Sequence, residues 1–204
     1  MSRTIKVLLA EDQSMVREAL VALLGLEPDI DVVAQVARGD EVLAAAREHD
    51  VDVALLDIEM PGQTGIEAAA ELHREIPGLK LVILTTFGRP GYLRSAMESG
   101  ADAFLVKDAP AAQLAAAVRK VLAGERVIDP TLAAAALAEG ANPLTDRERE
   151  VLRAAADGST NAELAKALHL SQGTVRNYLS TAIQKLTARN RAEAVRIARE
   201  KGWL

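Results

Sequence analysis

The sequence predicts a two-part molecule: a doubly wound, five-stranded parallel α/β sheet followed by a small all-α unit. Three observations carry this expectation. Five short runs rich in Val, Ile and Leu alternate with stretches of helical periodicity over residues 1–123, the pattern of buried parallel strands joined by crossover helices. Proline and glycine then gather around an alanine-rich stretch between residues 124 and 142. Beyond Pro143 no strand pattern remains, and helix-start signals recur in its place.

The strands are expected at residues 5–10, 32–35, 53–56, 81–85 and 103–106. Between them Val16, Ala19, Leu20, Leu23 and Leu24 recur at helical spacing. So do Val42, Ala45 and Ala46, then Ile66, Ala69, Ala70 and Leu72, and finally Leu114, Ala117, Val118 and Val121. Pro77 and Gly78 punctuate the end of the third helix and Gly100 that of the fourth. Residues 1–123 thus form one domain, 124–142 a linker and 143–204 a second domain. In the second, Thr145 with Glu148 and Thr160 with Glu163 have capping-box spacing, and Ser171 and Asn190 open two further helices.

Composition narrows the chemistry. The 204 residues include no cysteine, which excludes disulfides, thiolate metal sites and cysteine nucleophiles. Nothing approaches the roughly 18 apolar residues of a membrane span, and the first apolar run is too short for a signal peptide. A soluble cytoplasmic protein without direct membrane insertion is expected. The net charge of −5 is uneven: residues 1–123 hold 12 basic and 19 acidic residues, whereas 124–204 hold 12 and 10. Only the second part has the sign to meet a polyanion.

In a doubly wound sheet, chemistry gathers beyond the carboxyl ends of the strands. Glu11 and Asp12 follow the first expected strand and Asp57 the third. Adjacent parallel strands would bring these carboxylates together, where each raises the pKa of the others unless a cation intervenes. Mg2+ suits such an oxygen set together with phosphate oxygens. Asp57 could then act as a nucleophile toward phosphorus. Thr85 ends the fourth strand with a hydroxyl suited to a phosphoryl oxygen, Lys107 ends the fifth with an ammonium suited to the same group, and Phe104 lies three residues before it. Each residue alone has an ordinary explanation as a cap, a turn former or a solvated charge. Their joint placement at the ends of strands one, three, four and five does not.

The segments ED at 11–12, LLDIEMPGQTG at 55–65, LTT at 84–86 and GADAFLVKD at 100–108 resemble the flavodoxin-like receiver domain of bacterial response regulators. The resemblance implies that Asp57 accepts a phosphoryl group from a sensor histidine kinase. It implies Mg2+ held directly by Asp12 and Asp57, by Glu11 through water, and by the backbone carbonyl of Glu59. Thr85 and Phe104 would be the switch pair, and Lys107 the reader of the phosphoryl group. Many receivers carry proline after this lysine; here the residue is Asp108.

The second domain resembles the LuxR-type helix-turn-helix of the NarL/FixJ family through LTDREREVL, DGSTNAELAKALHLSQGTVRNYLSTAIQKL and NRAEAVRIA. Residues 161–168 would form the scaffold helix, His169 to Ser171 the turn, and residues 172–186 the recognition helix. Val175, Leu179, Ile183 and Leu186 would face inward, leaving Gln172, Thr174, Arg176, Asn177, Ser180, Thr181 and Gln184 outward. Arg176 has the fork for guanine and Asn177 the amide for adenine, each worth about 1–3 kcal/mol of discrimination. Thr174 and Lys185 are expected at phosphates. Ser180 stands where some relatives carry lysine, which points to a different operator. The bland alternative for each of these residues is a solvated helix face.

By the same resemblance the protein is a transcription regulator and not a turnover enzyme. Phosphorylation is expected to drive homodimerisation through the first and fifth receiver helices, residues 14–24 and 110–123, setting two recognition helices on a near-palindromic double-stranded DNA site. FGRPGYL at 87–93, ANPLTDRE at 141–148, GTVRNYLS at 173–180 and the ending EKGWL are most similar to the DesR-type subgroup, which works with a membrane thermosensor kinase and controls fatty-acid desaturation. Four alternatives compete. A phosphatase would need a substrate pocket and a second acid. A flavin protein would need an aromatic-rich loop. A ligand-sensing LuxR-type activator would lack the acid set. A phosphorylation-independent regulator would share every residue named.

Overall fold

The computed structural model describes residues 4–86, 90–108, 110–139 and 142–204. The chain divides into two compact units, one built mostly on residues before Ala133 and the other mostly on Ala134–Leu204.

The first unit runs β1 (Ile5–Ala10), α1 (Ser14–Leu24), β2 (Ile30–Val36), α2 (Val42–His49), β3 (Val53–Asp57), α3 (Gly65–Glu75), β4 (Lys80–Thr85), α4 (Pro90–Glu98), β5 (Ala103–Val106), α5 (Ala111–Leu122) and β6 (Val127–Ile128), and α6 (Pro130–Glu139) follows. The sheet is parallel throughout, in the order β2-β1-β3-β4-β5-β6. All five expected strands are present. The sixth was not expected. It pairs Val127 with Ala103 and Ile128 with Phe104, so the stretch read as a linker gives its first residues to the sheet edge.

The central strands form because they are buried on both faces. Every residue of β3 is buried, as are Val7, Leu8, Leu9 and Ala10 of β1. Side chains alternate across the sheet. One face joins Val7, Leu9, Val53, Leu55, Val82, Leu84 and Leu105 to Leu20 and Leu24 of α1 and to Leu114, Val118 and Val121 of α5. By that alternation Leu8, Leu56, Ile83 and Phe104, all fully buried, serve the opposite face. Burying each such side chain contributes about 1.5–3 kcal/mol.

The topological switch lies between β1 and β3. From β1 the order runs outward to β2 on one side and to β3 on the other, which opens a crevice at the carboxyl ends of these strands. Register brings their ends level, Ala10 opposite Leu56, so the residues that follow each strand meet.

The second unit holds α7 (Asp146–Ala154), α8 (Asn161–Ala167), α9 (Gln172–Lys185) and α10 (Arg191–Glu200). Each starts on a side-chain cap. Thr145 and Thr160 form reciprocal boxes with Glu148 and Glu163. Ser171 accepts from the Thr174 N–H and Asn190 from the Glu193 N–H. A cap of this kind contributes about 1 kcal/mol. Val151, Leu152, Leu164, Val175, Leu179, Leu186, Ala194 and Ala198 build a separate core, with Trp203 packed against it. The Lys201 ammonium lies 4.8 Å from the Trp203 ring centroid. Among the described residues no helix is long and apolar enough to cross a membrane.

Candidate functional site

The crevice at the switch point gathers the expected acidic residues. One carboxylate oxygen each from Glu11, Asp12 and Asp57 lie within 4.8 Å of one another. Glu11 and Asp57 are buried and Asp12 is exposed. Lys107, at the end of β5, reaches across with its Nζ 2.5 Å from Glu11 Oε2 and 2.8 Å from Asp57 Oδ1. Three carboxylates thus face one ammonium among the described residues, an imbalance that favours a cation. Burial pushes the Asp57 carboxyl up to about 6; the Lys107 ammonium draws it back, and the Glu11 charge adds to the rise. Burial alone would lower the Lys107 pKa, but the Asp57 and Glu11 carboxylates outweigh it and hold that pKa above its usual value.

The two oxygens of Asp57 are not equivalent. Oδ1 accepts a hydrogen bond from the Ile58 N–H at 2.8 Å and meets Lys107. Oδ2 has no protein hydrogen bond among the described residues, so it is the oxygen available to a reacting group. The donors Glu11, Asp12 and Asp57 are hard oxygens of net negative charge at the crevice mouth, which fits a Mg2+-sized ion completing its shell with water and substrate oxygens. Glu59 sits two residues beyond Asp57 on an exposed turn.

Local structure holds this pocket in place. Glu11 Oε1 accepts from the Gln13 N–H at 3.3 Å, and Arg17 of α1 donates to the Glu11 carbonyl at 2.6 Å, tying the loop that carries Glu11 and Asp12 to the first helix. Gly65, the first residue of α3, abuts the Asp57 backbone: a Cβ there would stand 1.9 Å from the Asp57 carbonyl oxygen. Thr85 is buried at the end of β4, and its carbonyl accepts from the Lys107 N–H at 2.8 Å. Phe104 is fully buried in the sheet. No peptide bond among the described residues is cis, so Lys107 and Asp108 are joined in trans.

The second candidate surface is the outer face of α9. Gln172, Arg176, Asn177, Ser180, Thr181 and Gln184 are exposed along it, whereas Val175, Leu179, Ala182 and Leu186 are buried. Ile183, expected inward, is partly buried against the core; Ala182 occupies the deeper position. His169, at φ 54°, forms the turn between α8 and α9. Thr174 is half-buried, its hydroxyl 2.8 Å from that of Ser171. Lys185 is engaged elsewhere, its Nζ donating to Glu148 Oε2 at 2.8 Å.

Sequence reasoning missed three of these residues. In the sequence Glu148 is visible only as a capping residue, and its pairing with Lys185 spans 37 positions, a separation that no local pattern encodes. Arg17 and Gly65 act on backbone atoms, which carry no residue signal. The motif FGRPGYL begins on residues 87–89 and ANPLTDRE on residue 141, all outside the described residues.

Comparison with known proteins agrees with this geometry. Residues 7–119 match the family described as the response regulator receiver domain, and residues 142–198 match the bacterial regulatory proteins of the luxR family. Two relatives come from Bacillus subtilis strain 168. The chain is 46% identical to the transcriptional regulatory protein DesR, over 98% of both chains. It is 48% identical to the uncharacterised transcriptional regulatory protein YvfU, over 98% of this chain and all of that one. Among solved structures it is similar to the response regulator ChrA of a heme-sensing two-component system, with a TM-score of 0.59 at 33% identity over 98% of this chain and 99% of that one.

Proposed function

Because this chain belongs to the two-component response regulators of the LuxR family, with a DNA-binding domain as its output, we propose that Asp57 accepts a phosphoryl group and that the new charge controls how the helical unit engages double-stranded DNA. The observation that carries the reading is the convergence of Glu11, Asp12, Asp57 and Lys107 at one crevice.

Asp57 Oδ2 attacks the phosphorus of a phosphohistidine on a sensor kinase. An O–P bond forms, the P–N bond breaks, and the imidazole leaves with a proton from solvent. Bound Mg2+, held by Asp12 and Asp57 with Glu11 and the Glu59 carbonyl in support, would supply positive charge to the phosphoryl oxygens. Lys107 exchanges part of its pairing with Asp57 for the phosphoryl group, whose charge is about −1.5 to −2. Thr85 donates its hydroxyl to the same group, and Phe104 repacks behind it. The surface of α1 and α5 (the expected segments 14–24 and 110–123) then pairs with a second copy, placing two α9 helices on successive half-sites. Gln172, Arg176, Asn177 and Ser180 face the bases, with Thr174 near phosphate. Following the resemblance to the DesR-type subgroup, the regulon includes membrane fatty-acid desaturation.

Solution mass by light scattering, with and without Mg2+ and beryllofluoride, tests the switch. A monomer-to-dimer shift in wild type that is absent in Asp57→Ala is the expected result. Equal masses under all conditions overturn phosphorylation-driven pairing. Thr85→Ala should lose the shift; if it pairs like wild type, the route through Thr85 and Phe104 is wrong. Mapping a selected duplex onto the genome of the source organism tests the regulon, and a site away from any desaturase promoter rejects it.

A further inference from the structure

We infer that Lys185 is not a phosphate contact but a positioning residue, which with Glu148 sets the orientation of α9 on α7. The inference rests on the DNA-binding reading of α9 and refines it.

One carboxylate oxygen does two tasks. Glu148 Oε2 accepts from the Thr145 N–H at 2.7 Å, closing the capping box of α7. The same oxygen accepts from Lys185 Nζ at 2.8 Å, in the last turn of α9. The Glu148 side chain is 5% exposed and that of Lys185 33%. A carboxylate so buried requires a partner, and removing the partner leaves an uncompensated buried charge. Lys185 therefore cannot swing to a phosphate without that cost. The start of α7 and the end of α9 are pinned at one atom, and this directional pin, added to the apolar packing of Val175, Leu179 and Leu186, restricts rotation and tilt of α9. Arg176 and Asn177 lie two turns or more N-terminal of the pin, on the same rigid helix. A small change of tilt at Lys185 moves them relative to a groove edge, where paired donors demand exact registry.

A phosphate contact and a positioning residue differ in salt dependence. Each phosphate neutralised by a cation contributes about 0.9 to the slope of log K against log salt. The experiment uses the full chain activated with Mg2+ and beryllofluoride, and a duplex recovered by selection with activated wild type from a random pool, with a scrambled duplex of equal length as control. Affinities for both are measured across a salt series for wild type, Lys185→Met, Lys185→Arg and Glu148→Gln, with circular dichroism confirming folding of each variant.

The expected result is an unchanged salt slope in Lys185→Met with a loss of selected-over-scrambled preference of at least about fivefold, the low end of what one seated base contact carries. Glu148→Gln, which keeps an oxygen for the cap but loses the charge, should lose the same preference, and Lys185→Arg should restore it. A slope that falls by about 0.9 per protomer, about 1.8 for the dimer, in Lys185→Met assigns the ammonium to a phosphate and overturns the inference. Wild-type slope and preference in folded Lys185→Met would reduce the pair to simple stabilisation and overturn it equally. A wild type that recovers no duplex overturns the DNA-binding reading and this one with it.

Discussion

Gly65 marks the place where backbone space, and no side-chain chemistry, decides whether Asp57 sits correctly. A methyl group there meets the Asp57 carbonyl oxygen at 1.9 Å, and backbone cannot yield as a flexible side chain does. Gly65→Ala is expected to destabilise the sheet unit by about 1–3 kcal/mol and to slow modification of Asp57, as read by chemical denaturation and by phosphoryl uptake from a small donor. Unchanged stability and uptake would mean that α3 shifts freely. The carboxylates and Lys107 were legible because strand ends are legible: a buried run that stops at a charged residue announces both. The inequivalence of the two Asp57 oxygens was not, since it depends on an Ile58 N–H and on an ammonium 50 residues away in sequence.

Helix starts in the second unit are each written within four residues, which is why the sequence alone shows all four. Asn190→Ala should cost about 1 kcal/mol through loss of the cap on the Glu193 N–H, measured by thermal melting. Glu148 adds a pH dependence of definite sign. Burial raises its pKa, but the Lys185 ammonium and the Thr145 donors outweigh burial and hold it below the ordinary value. Because the folded pKa is depressed, the stabilisation is complete above the unfolded value near 4.3 and is lost as pH falls through the folded value. Acid titration of the helical unit should thus show a transition that is shallower in Glu148→Gln; superimposable curves would remove Glu148 from the account. β6 escaped the sequence reading because two half-buried residues at a sheet edge give neither period nor a hydrophobic run. The apolar run at residues 32–35 is shorter than β2 for a related reason: Asp31 interrupts it, and only pairing with β1 shows that Ile30 belongs to the strand.

At the scale of the molecule, two cores of different construction share one chain. The sheet unit carries the acidic crevice, and residues 1–123, with 12 basic and 19 acidic residues, are more negative than the whole chain at −5. Mg2+ should raise the stability of that unit in wild type, by about 2.7 kcal/mol at a hundredfold excess over its dissociation constant. The gain should vanish in Asp57→Asn, and calorimetry with and without the ion distinguishes the cases. The helical unit has no such ligand set among the described residues, and its stability should not respond. Trp203, packed against the helical core under Lys201, is the only tryptophan of the 204 residues. Its fluorescence is therefore a private signal of one half of the protein. In a stopped-flow refolding experiment on the intact chain, the indole would report the helical module alone. The remaining amplitude, seen by far-ultraviolet dichroism, would belong to the strands and flanking helices of the sheet unit, whose distant pairings close more slowly.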